Sequence, residues 1–188
     1  LVSLETIAQE ADVITLHTPL VREGKYSTFH LADEKFFASL QRRPYFINTS
    51  RGETTDTYAL LRALEKGQIA QCCIDVWEHE PHIDLELLNR CDIGTPHIAG
   101  YSADGKANAT RMSLEALSCH FGLNGVFEVL PPQPPQKVIH AASRAEALLS
   151  IYNPHIDSHA LKTCPSHFEI LRGDYPLRRE EQAYEFRS

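Results

Sequence analysis

The sequence has no long apolar run. Nothing in it approaches the roughly 18–20 consecutive apolar residues of a membrane-spanning helix, and no basic stretch followed by an apolar one opens the chain. Neither a membrane span nor a secretory leader is expected, and the cytoplasm is the expected compartment. Positive charge is in deficit: 18 Lys and Arg stand against 25 Asp and Glu, a formal net charge of −7. That argues against the basic face that nucleic acid or an anionic membrane surface would need, while leaving a local anion pocket open. The five cysteines, at 72, 73, 91, 119 and 164, are odd in number and never spaced C-x-x-C; reduced thiols fit this better than a disulfide framework. The nine glycines form no G-x-G-x-x-G run and no other phosphate-cradling loop. Ten histidines, His79, His82 and His97 among them, raise a metal-dependent hydrolase as an alternative. No H-E-x-x-H or comparable ligand spacing supports it, so no metal is expected.

What remains is an ordinary globular composition. The chain has 188 residues, 43% hydrophobic and 23% charged, enough for one domain or one plus a small appendage. It opens at Leu1 rather than methionine and enters a helical pattern at once. That start reads as a piece of a longer protein.

Helix and strand signals alternate. Ser3 caps a pattern with Leu4, Ile7, Ala8 and Ala11 on one face. Val13–His17 is a β-rich run stopped by Pro19. Residues 32–40 read as helix, Tyr45–Asn48 as strand, and Asp56 caps a helix that carries Leu60, Leu61 and Leu64 to Gly67. A strand over 69–76, a short helix near 84–89 and a brief strand near 92–95 follow. Such alternation, with apolar strands, predicts an α/β fold built on a parallel sheet covered on both faces, with ligands at the carboxyl ends of the strands. A long helix is expected over 102–121, with Ala107, Met112, Leu114, Ala116 and Leu117 as candidate buried positions. Leu130–Pro135 reads as a linker. The segment 137–188, with one helix near 141–150 and prolines at 154, 165 and 176, is too small for a substantial core of its own.

Three short motifs fall at strand ends: Ile47-Asn-Thr-Ser-Arg-Gly52, Asp75-Val-Trp-Glu-His-Glu-Pro81 and Thr95-Pro-His-Ile-Ala-Gly100. Each is weak alone, since a strand-end arginine, a glutamate before proline and a lone histidine are common structural residues. Their joint placement at one edge of a parallel sheet is more specific. Oxidising a 2-hydroxy acid removes a hydroxyl proton while hydride leaves carbon 2. A histidine takes that proton at neutral pH, a carboxylate beside it fixes the tautomer and favours the imidazolium, and an arginine clamps the substrate carboxylate through two hydrogen bonds.

In order and wording these motifs resemble the D-isomer-specific 2-hydroxyacid dehydrogenases, strongly over 1–122 and more loosely over 137–188. The resemblance implies a partial doubly wound, Rossmann-like parallel sheet over 1–122, a Pro-rich linker over 123–136 and a small, incomplete α+β dimerisation domain over 137–188. It implies catalytic roles for Arg51, Glu80 and His97, with Glu78 as the competing carboxylate. It implies NAD as cofactor, contacted by Thr18, Thr49, Ser50, Arg51, Asp75 and Gly100, and substrate contacts from Arg51 and Tyr101. For Asp75 a cap or turn role is the alternative, and for Tyr101 plain packing. The branch it most resembles acts on a small phosphorylated 2-hydroxy acid, and a homodimer through the C-terminal segment is expected. Other readings stay open: a phosphoglycerate or glycerate dehydrogenase of the same family, or a non-catalytic relative that binds dinucleotide or dimerises. The family's glycine-rich fingerprint, its first strand and the acidic residue for the ribose are absent. Residues 1–188 alone are therefore expected to bind NAD poorly and to turn over little.

Overall fold

The computed structural model describes residues 1–123 and 125–187; Asn124 of the expected linker and Ser188 of the expected C-terminal domain lie outside the described residues. The chain divides into two compact units, Leu1–Ile98 with Pro154–Gly173, and Ala99–Asn153 with Asp174–Ser188. These units do not coincide with borders at 122 and 136. Residues 154–173 pack with the sheet, and residues from Ala99 onward group with the end of the chain.

The first unit holds a four-stranded parallel sheet in the order β1 (Val13–Leu16), β2 (Tyr45–Asn48), β3 (Gln71–Ile74), β4 (Ile93–Gly94). The register pairs Ile14 with Phe46 and Phe46 with Cys72. Helices α1 (Leu4–Glu10), α2 (Glu34–Ser39), α3 (Thr57–Glu65) and α4 (Leu85–Arg90) lie between or before the strands. Each starts where the sequence supplies a side-chain acceptor for an orphan backbone N–H. Ser3 caps α1, Asp33 α2, Asp56 α3 and Asp84 α4, each such cap contributing about 1 kcal/mol. Gly67 follows α3 with φ +66°, the left-handed conformation that a glycine adopts without penalty.

Period-2 side-chain alternation decides where the core sits. Ile14, Leu16, Phe46, Asn48, Cys72 and Ile74 are buried, whereas Val13 and Thr15 are exposed and Tyr45, Ile47, Gln71 and Cys73 half-buried. The expected cover on both faces is thus corrected: among the described residues one face is fully buried. Phe37, Ala59, Leu60, Ala63, Leu87 and Leu88 from the helices join the strand residues in one core cluster. Two further helices, α7 (Pro154–Thr163) and α8 (Phe168–Gly173), add Leu161 and Phe168 to it. Helix α7 seals the β4 edge, for Gly94 N donates to Ser158 Oγ at 3.0 Å and Lys162 Nζ to Cys91 O at 2.6 Å.

The second unit contains α5 (Ala103–Phe121), a two-stranded parallel pair β5 (Val138–His140) and β6 (Glu185–Arg187), and α6 (Arg144–Ile151). Ser102 caps α5 and Gly122, at φ +64°, closes it. Residues 125–136 carry no helix or strand. The positions expected to be buried along α5 are not: Met112, Ala116 and Leu117 are exposed, and Ala107 and Leu114 half-buried. Its buried residues are Asp104 and Ser118. Asp104 receives Arg179 through two bonds, Nε to Oδ2 at 2.8 Å and Nη2 to Oδ1 at 3.0 Å, and Glu180 N at 2.9 Å.

Candidate active site

The sheet's carboxyl edge is where the three motifs meet. At the end of β2, Asn48 is buried, and its side chain organises the turn that follows. Its amide donates to Arg51 O at 3.1 Å, and its Oδ1 accepts from Ser50 N at 3.0 Å and Ser50 Oγ at 2.9 Å. The turn presents Arg51 as an exposed residue, its Nη1 donating to Ser50 O at 2.6 Å. No carboxylate pairs with it among the described residues. Gly52 follows because nothing larger fits: a Cβ there would lie 2.0 Å from Trp77 O and 2.6 Å from Glu78 N.

At the end of β3, Asp75 is 4% exposed. Its Oδ1 accepts from Thr95 Oγ1 at 2.6 Å and Ile98 N at 2.8 Å, bracketing His97. His97 itself has φ +57°, a left-handed conformation that costs a non-glycine residue roughly 1–2 kcal/mol. The bonds on either side hold it there. Trp77 adds a third tie, Nε1 donating to Thr95 O at 2.9 Å.

The imidazole and a carboxylate touch. His97 Nδ1 and Glu80 Oε2 are 2.8 Å apart, with side-chain exposures of 24% and 20%. The other oxygen of Glu80 accepts from Trp77 N at 2.8 Å, so the carboxylate is aimed by its own loop. Glu78 is engaged elsewhere: its Oε1 lies 2.8 Å from His30 Nε2, and its Oε2 accepts from Thr57 N at 3.0 Å. Burial raises the Glu78 pKa, but the bonds from His30 and Thr57 outweigh it, and the carboxyl is held below its ordinary range. Of the two carboxylates, Glu80 is the one in contact with His97.

Arg51, Glu80 and His97 line one cleft of about 420 Å³, together with Arg22, Phe29, Gly52, Glu53, Trp77, Glu78 and His79. Arg22, Phe29 and His30 were not among the expected site residues. They come from the loop between β1 and α2, where Arg22 pairs with Glu53 at 2.9 Å, lies 5.4 Å from the Phe29 ring centroid, and Phe29 stacks on His30 at 4.0 Å. Trp77 lies inside a motif, yet its aiming of Glu80 is a backbone bond that spacing does not reveal.

The expected cofactor contacts fall in two places. Thr18, Thr49, Ser50 and Asp75 follow or close β1, β2 and β3. Thr18 Oγ1 is buried without a hydrogen-bond partner, a state that costs about 1–3 kcal/mol unless a bound group satisfies it. That orphan fits a dinucleotide laid along the strand ends. Gly100 and Tyr101 belong to the second unit. A Cβ on Gly100 would meet no protein atom, so nothing in the protein itself demands a glycine there. Tyr101 meets Tyr175 edge-on at 6.2 Å, with Lys106 Nζ 4.6 Å from its ring centroid.

The cysteines packed in and beside the sheet are poor nucleophiles. Burial pushes the Cys72 thiol far up and that of Cys91 to about 11. Among the described residues no group of three or more His, Cys, Asp or Glu is placed to hold a metal ion, and no helix is long and apolar enough to cross a membrane.

The chain belongs to the D-isomer specific 2-hydroxyacid dehydrogenase family, whose NAD binding domain matches residues 1–99. Among its relatives are two erythronate-4-phosphate dehydrogenases. That of Bacteroides thetaiotaomicron is 62% identical over 182 residues, covering 97% of this chain and 52% of the relative. That of Porphyromonas gingivalis is 42% identical over 191 residues, covering 96% and 51%. The chain thus spans about half the length of the curated relatives it matches. Among solved structures, D-lactate dehydrogenase with NAD+ from Lactobacillus jensenii aligns with TM-score 0.55 at 31% identity, over 70% of this chain and 43% of that one. A glyoxylate reductase from Paecilomyes thermophila aligns with TM-score 0.55 at 31% identity, over 72% and 40%. The parallel sheet is accordingly of the doubly wound, Rossmann-like kind.

Proposed function

We propose that this chain carries the acid–base centre of an NAD-dependent D-2-hydroxyacid dehydrogenase acting on 4-phosphoerythronate. The reaction would give 2-oxo-3-hydroxy-4-phosphobutanoate, within pyridoxal phosphate synthesis in the cytoplasm. The observation that carries the reading is the 2.8 Å contact of His97 with Glu80 in the cleft that also holds Arg51.

The chemistry follows from the atoms. Nδ1 of His97 is taken by Glu80, which leaves Nε2 to accept the substrate's hydroxyl proton and to return it in the reverse direction. Glu80 stabilises the imidazolium that forms. Arg51, with no carboxylate of its own, clamps the substrate carboxylate and polarises the bond to oxygen. NAD, when bound, supplies the hydride acceptor. Thr18, Thr49, Ser50, Arg51, Asp75 and Gly100 are the residues proposed to hold it, and Tyr101 to contact the substrate. Asp75 has a second duty besides, since its Oδ1 fixes the His97 turn.

The phosphorylated substrate is favoured by the names of the two relatives above. We also propose a homodimer through the C-terminal segment, where Leu148, Leu149, Leu177 and Phe186 stand exposed. The test is an NAD-reduction assay with 4-phosphoerythronate, 3-phosphoglycerate and glycerate side by side, in protein completed to the relatives' length. The first should be the preferred substrate by kcat/KM. Preference for either of the others would replace the substrate assignment while leaving the centre in place.

A further inference from the structure

A second histidine–carboxylate pair stands beside the first. We propose that Glu78 is a positioning residue for the His97–Glu80 pair: by binding His30 and Thr57 N it locks the segment that carries Glu80 against two other parts of the chain. The inference rests on the functional reading above for its kinetic consequence, but not for its structural one.

Glu78 has a side-chain exposure of 13%, and its carboxylate spends both oxygens on other segments. Oε1 meets His30 Nε2 at 2.8 Å, and Oε2 takes Thr57 N, the first residue of α3, at 3.0 Å. His30 is in turn tied down. Its φ is +48°, its N donates to Glu53 O at 2.8 Å, its ring stacks on Phe29, and its Nδ1 lies 3.9 Å from Asp56 Oδ2. The other charged groups nearby are Arg22 and Glu53, paired with each other at 2.9 Å.

The geometry makes Trp77–Glu78 the point where the carriers of all three active-site side chains converge. Gly52, next to Arg51, sits where an added Cβ would come within 2.0 Å of the Trp77 carbonyl oxygen. Trp77 N aims Glu80, and Trp77 Nε1 holds Thr95 in the His97 turn. With Glu78 unanchored, the backbone of residues 77–80 loses its fixed position, and Glu80 with it. No motif logic distinguishes Glu78 from a solvated loop glutamate; its two bonds do.

The test compares Glu78→Ala, Glu78→Gln and His30→Ala in the 188-residue chain. The readout is the nitrogen NMR shifts of the His97 imidazole, which report its tautomer and the Nδ1–H bond to Glu80. Glu78→Ala should lose the hydrogen-bonded signature. Glu78→Gln, which keeps an acceptor for Thr57 N and a polar group for His30, should restore most of it. His30→Ala should weaken it, and keeps the question answerable if Glu78→Ala does not fold. In protein completed to the relatives' length, Glu78→Ala should lower kcat by about 10²-fold, the scale of a roughly 1 Å misplacement, with KM little changed. A folded Glu78→Ala that keeps the wild-type His97 signature overturns the proposal, as does a Glu78→Gln as damaged as Glu78→Ala. Wild-type protein inactive on every 2-hydroxy acid would end the functional reading but leave the NMR outcome standing.

Discussion

At the scale of single residues, the site is set by close approach and by hydrogen bonds that each side chain makes away from the cleft. Gly52 is the sharpest case. A methyl group there would meet the Trp77 carbonyl at 2.0 Å, and that neighbour is backbone that cannot rotate aside. Gly52→Ala should destabilise the protein by about 1–3 kcal/mol. It should also cut turnover by about 10²-fold by displacing Arg51 or the Glu80 loop. Thermal unfolding and steady-state kinetics check the two halves, and a variant with wild-type values for both would show that the contact is slack. Motif wording favoured Glu80 over Glu78, and the glutamate before the proline is the one that touches His97. What it could not show is why Glu78 is unavailable. That answer lies in His30, 48 residues away in sequence and brought to it only by folding.

At the scale of elements, helix starts were legible and helix surroundings were not. Ser3, Asp56 and Ser102 stand where a cap is needed and α1, α3 and α5 begin there, since capping is local chemistry. Helix α7 escaped notice because Pro154 reads as a break, although proline is well suited to a first helical turn. Met112 and Leu117 of α5 were expected to be buried; periodicity identifies an apolar face but not whether anything covers it. The α5 N-terminus also carries a pH-sensitive clamp. Arg179 beside Asp104 holds that carboxyl below its usual range. A depressed pKa stabilises above the unfolded value of about 3.9, and that stability is lost as pH falls through the folded value. Denaturant unfolding should therefore show the stability of wild type falling below about pH 4 more steeply than that of Asp104→Asn. Asp104→Ala, which strands a buried guanidinium, should cost about 3 kcal/mol near neutral pH. Parallel pH dependence in wild type and Asp104→Asn would mean that the pair contributes nothing to acid sensitivity.

At the scale of the whole molecule, the four parallel strands were readable from alternation alone, because strand, turn and helix signals repeat at βα spacing. Cover on both faces was not: Val13 is apolar enough to be buried, yet strand alternation turns it away from the face that the core cluster fills, and it stands exposed. The same shortfall bears on the cofactor. The chain has Thr18 and the strand-end turns but no glycine-rich loop to take a pyrophosphate. Titrating the 188-residue chain with NADH, followed by fluorescence or calorimetry, should therefore give weak binding. Low-micromolar affinity would mean that the strand ends suffice without that loop.

The proposed reaction depends most on His97 acting as the acid–base group with Glu80 behind it. The direct measurement is NAD reduction by 4-phosphoerythronate in protein completed to the relatives' length, wild type against His97→Ala. Turnover should fall by roughly 10²–10⁴-fold in the variant; an unchanged kcat in a folded His97→Ala protein would contradict the mechanism.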